Sequence, residues 1–173
     1  MKRVIALVLA ALMAVAVFAG CGGNNATKDA DLNKVLDTIN SENSLSLEKI
    51  TDANKLNLYY GIAEADMKQF AAESDKSNPN APVEIVLVEA KDADAAGRVE
   101  TALNTRYNSV LSTYTSYTPE KVDMVKACKV TKDGNYVTLI IADNAPAMVT
   151  TFQNSIKEQR VAAPTPAFEN VVC

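Results

Sequence analysis

Residues 83–90 read VEIVLVEA, a run of β-branched and aliphatic side chains between turn signals that predicts a β-strand. Residues 91–117 follow at once as KDADAAGRVETALNTRYNSVLSTYTSY. Their apolar side chains recur three and four positions apart, which predicts the longest helix of the chain. Asp92 or Asp94 is expected to cap the start of this helix. A helix of this length covers most of one face of a small sheet, so this pair organises the domain.

Further strands and helices are predicted on both sides of this pair. Residues 67–74 alternate weakly and predict a strand, and the turn at 133–135 joins residues 128–132 to residues 136–142 in a predicted hairpin. The remaining segments are predicted to be helical. They lie over about 29–41, with Asp29 or Asp31 as the cap, in one or two short turns over 46–60 that end at Gly61, over 119–125 and over 144–158. We therefore expect an α+β fold, with a small antiparallel sheet of about four strands covered on one face by the long helix and shorter helices.

The N-terminus has the layout of a secretory signal. Two basic residues precede the uncharged apolar run at 4–18, and the small residues Ala19 and Gly20 then lead to Cys21. This layout resembles the bacterial lipoprotein signal, with Phe18 in place of the usual Leu. In that family the cysteine receives a diacylglyceryl thioether and the preceding peptide is removed. The resemblance implies cleavage between Gly20 and Cys21 and lipidation of Cys21.

An uncleaved transmembrane anchor is the alternative. The apolar run is shorter than the roughly 20 residues that span a bilayer core, and a polar, glycine-rich exit follows it. Both interpretations place the rest of the chain outside the cytoplasmic membrane. With cleavage, the predicted organisation is a lipoprotein signal peptide at 1–20, a lipidated tether at 21–29, a single α+β domain at 30–158 and a flexible tail at 159–173.

Composition narrows the classes of function. Without residues 1–20 the chain carries 15 basic and 21 acidic residues, a net charge of −6, and no basic cluster. This balance argues against nucleic acid and against docking on anionic headgroups, so membrane retention would come from acyl chains on Cys21. The chain has no His, which excludes Ser-His-Asp and Cys-His catalysis and a His-containing zinc site. We predict no catalytic residue, no metal ligand and no cofactor.

Two thiols remain after Cys21. Cys128 is predicted at the start of a hairpin strand, where cysteine usually packs as a small hydrophobic side chain. A disulfide between Cys128 and Cys173 is the alternative, since an extracytoplasmic location permits it. Cys173 ends the chain and has no ordered neighbour to activate its thiol.

Carboxylates and tyrosines supply the other candidates for chemistry or binding. Glycoside hydrolysis needs two carboxylates across a cleft. Helix caps and solvated faces explain the available acidic residues more simply, namely Asp66, Glu84, Glu89, Asp92, Asp94 and Glu100. The tyrosines either pack in the core or line a groove for a sugar or peptide. Tyr59 and Tyr117, near the ends of predicted elements, are the candidates for ligand contact.

Four short motifs connect the chain to a known family. They are Tyr60-Gly61-Ile62, Val83-Glu84-Ile85, Ala90-Lys91-Asp92 and Gly134-Asn135-Tyr136-Val137. Over about residues 32–158 the chain resembles a family of bacterial lipoproteins, mostly from Gram-positive anaerobes, that is known only as a domain of unknown function. The resemblance implies a membrane address and a small α+β domain. It brings no activity, cofactor or catalytic residue.

These observations favour a lipid-anchored, non-enzymatic domain that binds a protein or an envelope component outside the membrane. One rival hypothesis is a carboxylate-based hydrolase of envelope glycans. The other is a small solute-binding lipoprotein, although the chain is short for the usual two-lobed receptor.

Overall fold

The computed structural model of the protein describes residues 29–75, 77 and 80–161. The predicted signal peptide, Gly20, Cys21 and Cys173 lie outside the described residues. The described strands are β1 (Glu48–Ile50), β2 (Met67–Ser74), β3 (Glu84–Ala90), β4 (Thr131–Asp133) and β5 (Tyr136–Ile141). The helices are α1 (Leu32–Asn43), α2 (Ala53–Tyr60), α3 (Ala93–Tyr117), α4 (Val122–Ala127) and α5 (Ala145–Val161), with 3₁₀ turns at Glu64–Asp66 and Pro119–Lys121.

The strands form one antiparallel sheet in the order β1-β2-β3-β5-β4, which confirms the α+β class. The described sheet has five strands rather than about four. The additional strand is β1, in a segment that we expected to be helical. Its Ile50 pairs with Ala72 on the free edge of β2, a contact that the local apolar spacing cannot reveal. The structure therefore corrects the prediction of helical turns over 46–52.

Helices cover both faces of the sheet, whereas we expected them on one. Successive side chains of β3 point to opposite faces of the sheet. Glu84 contacts Arg106 of α3 on one face, whereas Glu89 contacts Gln69 on the other face, at the start of α1. Helix α3 therefore lies on one face, and α1 packs with α5 on the other. Every residue of β3 and β5 is buried, as two-sided coverage requires. None of the described helices combines the length and hydropathy that a bilayer crossing requires.

Local signals set the helix ends. The Asp31 carboxylate accepts hydrogen bonds from the backbone N–H groups of Asn33 and Lys34, and the Asp92 carboxylate accepts one from Ala95 at 2.8 Å. Of the paired alternatives, Asp31 and Asp92 are the caps. Gly61 ends α2 with φ +71°, the left-handed conformation expected of a C-terminal glycine.

Helix α5 continues to Val161, so residues 159–161 belong to the folded domain and not to the predicted tail. Gln159 shows why the helix extends, because its Oε1 accepts a hydrogen bond from the Asp31 N–H at 2.7 Å. This contact joins α5 to the start of α1. Residues 162–173 lie outside the described part of the chain.

The start of the domain is fixed at one end of the sheet. The Gln69 side-chain amide donates to the Ala30 carbonyl at 2.6 Å and accepts from the Leu32 N–H at 3.2 Å. The Tyr136 hydroxyl accepts from the Ala30 N–H at 3.0 Å, and Lys68 pairs with Asp29. These contacts hold residues 29 and 30, to which the predicted tether would connect, against the start of β2.

A buried carboxyl beneath α1 gives a first stability prediction. Glu73 is 1% exposed and accepts a hydrogen bond from the Asn40 side-chain amide at 3.0 Å. Glu73 Oε1 and Asn40 Oδ1 have no partner among the described residues. Burial raises the pKa of Glu73 and outweighs the lowering by Asn40 and Lys49, while Asp37 adds a further rise. The folded state therefore holds a proton on this carboxyl more tightly than the unfolded chain does.

We expect Glu73→Gln to raise the free energy of unfolding by about 1 kcal/mol near neutral pH, because the new amide can donate to Asn40 Oδ1. A carboxyl whose pKa is higher in the folded state than in the unfolded state stabilises the fold at pH values below its unfolded pKa. This stabilisation is lost as pH rises through its folded pKa. The gain should therefore be larger at about pH 8 than at about pH 4 in urea denaturation. Glu120→Gln removes the same charge from an exposed side chain and is the matched control. A loss of stability at the higher pH would contradict this account.

Candidate functional site

A cleft of about 480 Å³ opens at the end of the sheet where β2 finishes and β3 begins. This volume lies in the range of small-molecule sites, roughly 300–1,000 Å³. Helix α2, the β2–β3 turn and α3 supply its walls. The apolar lining includes Leu58, Tyr59, Pro82 and Val110, and the polar lining includes Tyr60, Ser74, Asp75, Glu84, Arg106 and Thr113.

An ion pair forms the polar floor of the cleft. Arg106 donates from Nε to Glu84 Oε1 at 3.0 Å and from Nη2 to Glu84 Oε2 at 2.8 Å. The Glu84 side chain is 1% exposed and that of Arg106 is 30% exposed. A charge-assisted bidentate pair of this kind combines strength with a fixed orientation.

Tyr60 supports this pair in two ways. Its hydroxyl donates to Glu84 Oε2 at 3.3 Å, and its ring centroid lies 5.6 Å from the Arg106 guanidinium carbon. Burial, followed by the negative charge of Glu84, raises the pKa of the Tyr60 phenol well above its ordinary value, so the hydroxyl remains a donor. Burial lowers the pKa of Arg106, but the hydrogen bonds to Glu84 and the negative charge of Glu84 together outweigh that effect, so the net direction is upward.

The sequence builds this arrangement from three elements. Glu84 is the first residue of β3, and the strand period places it on the α3 face with Val86. Arg106 is one turn from both Leu103 and Val110 on α3, so it flanks the buried stripe. Tyr60 is the last residue of α2. Two of the four family motifs, those containing Tyr60 and Glu84, therefore meet in the cleft.

Only one of the two tyrosines predicted to contact a ligand lines the cleft. Tyr59 is 40% exposed and lines the cleft, whereas Tyr117 is 68% exposed at the C-terminal end of α3 and is not part of the lining. Arg106 was missed by the sequence argument. Its signal was indirect, because a glutamate in a buried strand is usually hydrogen-bonded or paired with a basic side chain.

The six acidic candidates do not gather at one place, and only Glu84 among them lines the cleft. Its two oxygens are already engaged by Arg106 and Tyr60. Asp66 pairs with Arg98, Glu100 pairs with Lys132, and Glu89 contacts both Lys68 and Gln69. Asp92 caps α3, and Asp94 lies in the first turn of that helix. Among the described residues, no group of three or more acidic or cysteine side chains is placed to hold a metal ion.

Cys128 is 1% exposed and lies at the C-terminal end of α4, not in a hairpin strand. Strand β4 begins only at Thr131, where pairing with β5 starts. The hairpin strand predicted at 128–132 therefore starts too early in the sequence. Burial raises the pKa of the Cys128 thiol despite its contact with the Ala142 carbonyl. Its packing fits the small-hydrophobe interpretation. Pairing with Cys173 stays a prediction, because Cys173 lies outside the described residues.

The fold and the cleft define a class of protein, a small three-layer domain with an antiparallel sheet between helices and a polar cleft at one end. The chain belongs to the family described as "Domain of unknown function (DUF4358)", whose model matches residues 27–142. The matched range contains all five described strands and every residue that lines the cleft. Comparison with curated proteins and with solved structures gives no significant match.

Proposed function

We propose that the protein is a lipid-anchored binding domain on the outer side of the bacterial cell membrane, which captures an envelope component in the Arg106 cleft without converting it. The signal layout that ends at Cys21 supports the address. The cleft supports the binding role, because it combines an apolar wall with a charged floor and has the volume of a small-ligand site.

The observation that carries the proposal is the position of the cleft relative to the start of the domain. Asp29 and Ala30 are fixed beside Lys68 and Gln69 at the start of β2. The cleft lies beyond the other end of this strand, at Ser74, roughly 20 Å away at the rise of an extended chain. A domain held through residues 21–29 would therefore present its cleft away from the point of attachment.

Binding accounts for the floor of the cleft better than catalysis does. The chain has no His, and Glu84 accepts hydrogen bonds from both Arg106 and Tyr60, so it is not a free acid or base. Asp75 also lines the cleft, and this second carboxylate keeps glycan hydrolysis as the other candidate. Release of sugar from an envelope glycan by the wild type, lost in a folded Glu84→Gln variant, would favour hydrolysis.

The anchor is tested with the full chain in cells that are fed a clickable fatty acid. We expect label on the protein and recovery in the membrane fraction. Cys21→Ser should abolish the label, because the thioether needs this sulfur. Cys128→Ser removes a buried thiol instead and should keep both label and location. Equal labelling of Cys21→Ser and the wild type would contradict lipid anchoring.

The binding role is tested by thermal unfolding of the full chain, purified in mild detergent, against envelope glycans, muropeptides, peptides, amino acids and divalent cations. A ligand at about 100 times its Kd adds about 2.7 kcal/mol, which is a shift of several degrees for a domain of this size. We expect one class to raise the unfolding temperature. No shift with any class would contradict capture of a small ligand in the cleft.

A further inference from the structure

We infer that the Arg106 cleft binds a zwitterion, an amino acid or a short peptide whose free carboxylate is held by Arg106 and whose ammonium group lies toward Asp75. This inference rests on the proposed binding function and specifies its ligand class. Three features of the cleft support it, namely the unused donors of Arg106, the fixed position of the guanidinium and the charge balance of the lining.

The guanidinium has donors to spare. Arg carries five N–H groups in a planar fork. Glu84 accepts from the single N–H of Nε and from one of the two N–H groups of Nη2. Nη1 and the outer N–H of Nη2 have no acceptor among the described residues, and they form the parallel pair that matches a carboxylate. Because Glu84 is 1% exposed while Arg106 is 30% exposed, the open edge of Arg106 faces the cleft rather than the core.

The guanidinium is also held in place before a ligand arrives. Glu84 fixes one edge through two N–H groups, and the Tyr60 ring lies beside the guanidinium at 5.6 Å. A long side chain that is already immobilised loses little conformational entropy when it binds a ligand. Arg106 is therefore suited to hold a small anion that an unrestrained surface arginine would hold poorly.

The charge balance selects a zwitterion over a simple anion. Among the described residues that line the cleft, Glu84 and Asp75 contribute two negative charges and Arg106 contributes one positive charge, a net charge of −1 for this part of the lining. A phosphate would add negative charge to this surface at a cost, whereas a ligand ammonium near Asp75 would offset it. The backbone and side chain of Ser77 donate to Asp75 and lower the pKa of its carboxyl, which keeps the group ionised near neutral pH.

The apolar wall accounts for the rest of the ligand. Leu58 is 76% exposed and Tyr59 is 40% exposed, and both line the cleft above the charged floor. Exposed apolar side chains of this size usually mark a contact surface when they cluster. An apolar or aromatic side group of the ligand would cover them while its carboxylate reaches Arg106.

A matched ligand series tests the inference by calorimetry on the full chain in detergent. The probes are the dipeptide Ala-Phe, its C-terminal amide and its N-acetyl derivative. We expect amidation to weaken Kd by about tenfold or more, since it removes the carboxylate. Acetylation should weaken Kd by a factor of about three or more, since it removes the ammonium group. Equal affinity for all three probes would overturn the inference.

Paired variants locate the site. Arg106→Lys keeps the charge but loses the planar fork, so we expect Kd for Ala-Phe to rise about tenfold. Arg98→Lys is the control, because Arg98 pairs with Asp66 through the same two nitrogens on the same helix but outside the cleft lining. Tyr59→Ala should weaken binding several-fold and Tyr117→Ala should not, since only Tyr59 lines the cleft. Equal effects of the two tyrosine changes would place the ligand elsewhere and overturn the inference.

The outcomes separate this inference from the proposed function. Selective binding of a neutral glycan or of inorganic phosphate, weakened by Tyr59→Ala, would overturn the zwitterion and leave the binding function standing. Absence of binding by every ligand class would overturn both. Free peptides and the peptides of a cell wall share this zwitterionic chemistry. Comparison of the Kd for D-Ala-D-Ala with the Kd for L-Ala-L-Ala distinguishes these two sources. Preference for either supports the inference and identifies the source.

Discussion

Replacing Arg106 with methionine is expected to lower the free energy of unfolding by about 3 kcal/mol and the unfolding temperature by about 10 °C. The change leaves the carboxylate of Glu84, which is 1% exposed, with only the Tyr60 hydroxyl as a side-chain donor. An uncompensated buried charge is costlier than the loss of one hydrogen bond.

Three comparisons make this prediction specific. Arg98→Met breaks a pair whose arginine is 59% exposed and should cost much less than Arg106→Met, because solvent screens the exposed pair. Glu84→Gln should cost less than Arg106→Met, because the 30% exposed guanidinium can turn to water. Arg106→Met combined with Glu84→Leu should recover much of the lost stability, since no charge remains buried. Equal losses for Arg106→Met and Arg98→Met in chemical denaturation would show that burial of Glu84 does not decide the cost.

The elements that the sequence predicted correctly are those whose signals are local. Asp31, Asp92 and Gly61 act through hydrogen bonds or backbone conformation within one helical turn. The turn before β5 is likewise defined by adjacent residues, including Gly134 at φ +60°. Such signals need no knowledge of the rest of the fold.

Of two features that were predicted wrongly, one depends on a distant partner and the other had a signal in the sequence that was overlooked. Strand β1 has three residues and exists because the edge of β2 supplies its hydrogen bonds. Coverage on both faces follows from β3 and β5, which are buried throughout and show no polar alternation. That lack of alternation was visible in VEIVLVEA and indicated helices on two sides.

The candidate site was only partly predictable for the same reason. A glutamate in a buried strand is usually hydrogen-bonded or paired with a basic side chain, yet nothing local selects Arg106, 22 positions from Glu84, over Arg98. Tyr59 and Tyr117 both read as exposed aromatics near element ends, and both are exposed. Their positions relative to the cleft depend on how α2 and α3 meet β3, which only the assembled fold determines.

A second large effect is expected from Gln69→Glu, at the end of the sheet where the tether would enter. The Gln69 amide nitrogen donates to the Ala30 carbonyl at 2.6 Å and to Glu89 Oε2 at 2.5 Å. The change replaces this double donor with a carboxylate that faces a carbonyl and another carboxylate. The side chain of Glu89 is 5% exposed, so solvent screens the repulsion poorly. We expect a loss of about 3 kcal/mol near pH 8.

The sign of the pH dependence follows from the new carboxyl. Beside Glu89 and the Ala30 carbonyl its pKa would be raised in the folded state, so its protonated form can donate as the amide did. Stability of the variant should therefore be near that of the wild type below about pH 4 and fall as pH rises through the raised value. Gln159→Glu adds the same charge but keeps the oxygen that accepts from the Asp31 N–H, and it should change stability little across this range. If urea denaturation shows losses that are equal for both variants and that grow alike with pH, the added charge is responsible and the donor role of Gln69 is refuted. A loss confined to Gln69→Glu and growing with pH would establish this amide as the clamp that joins the start of α1 to the sheet.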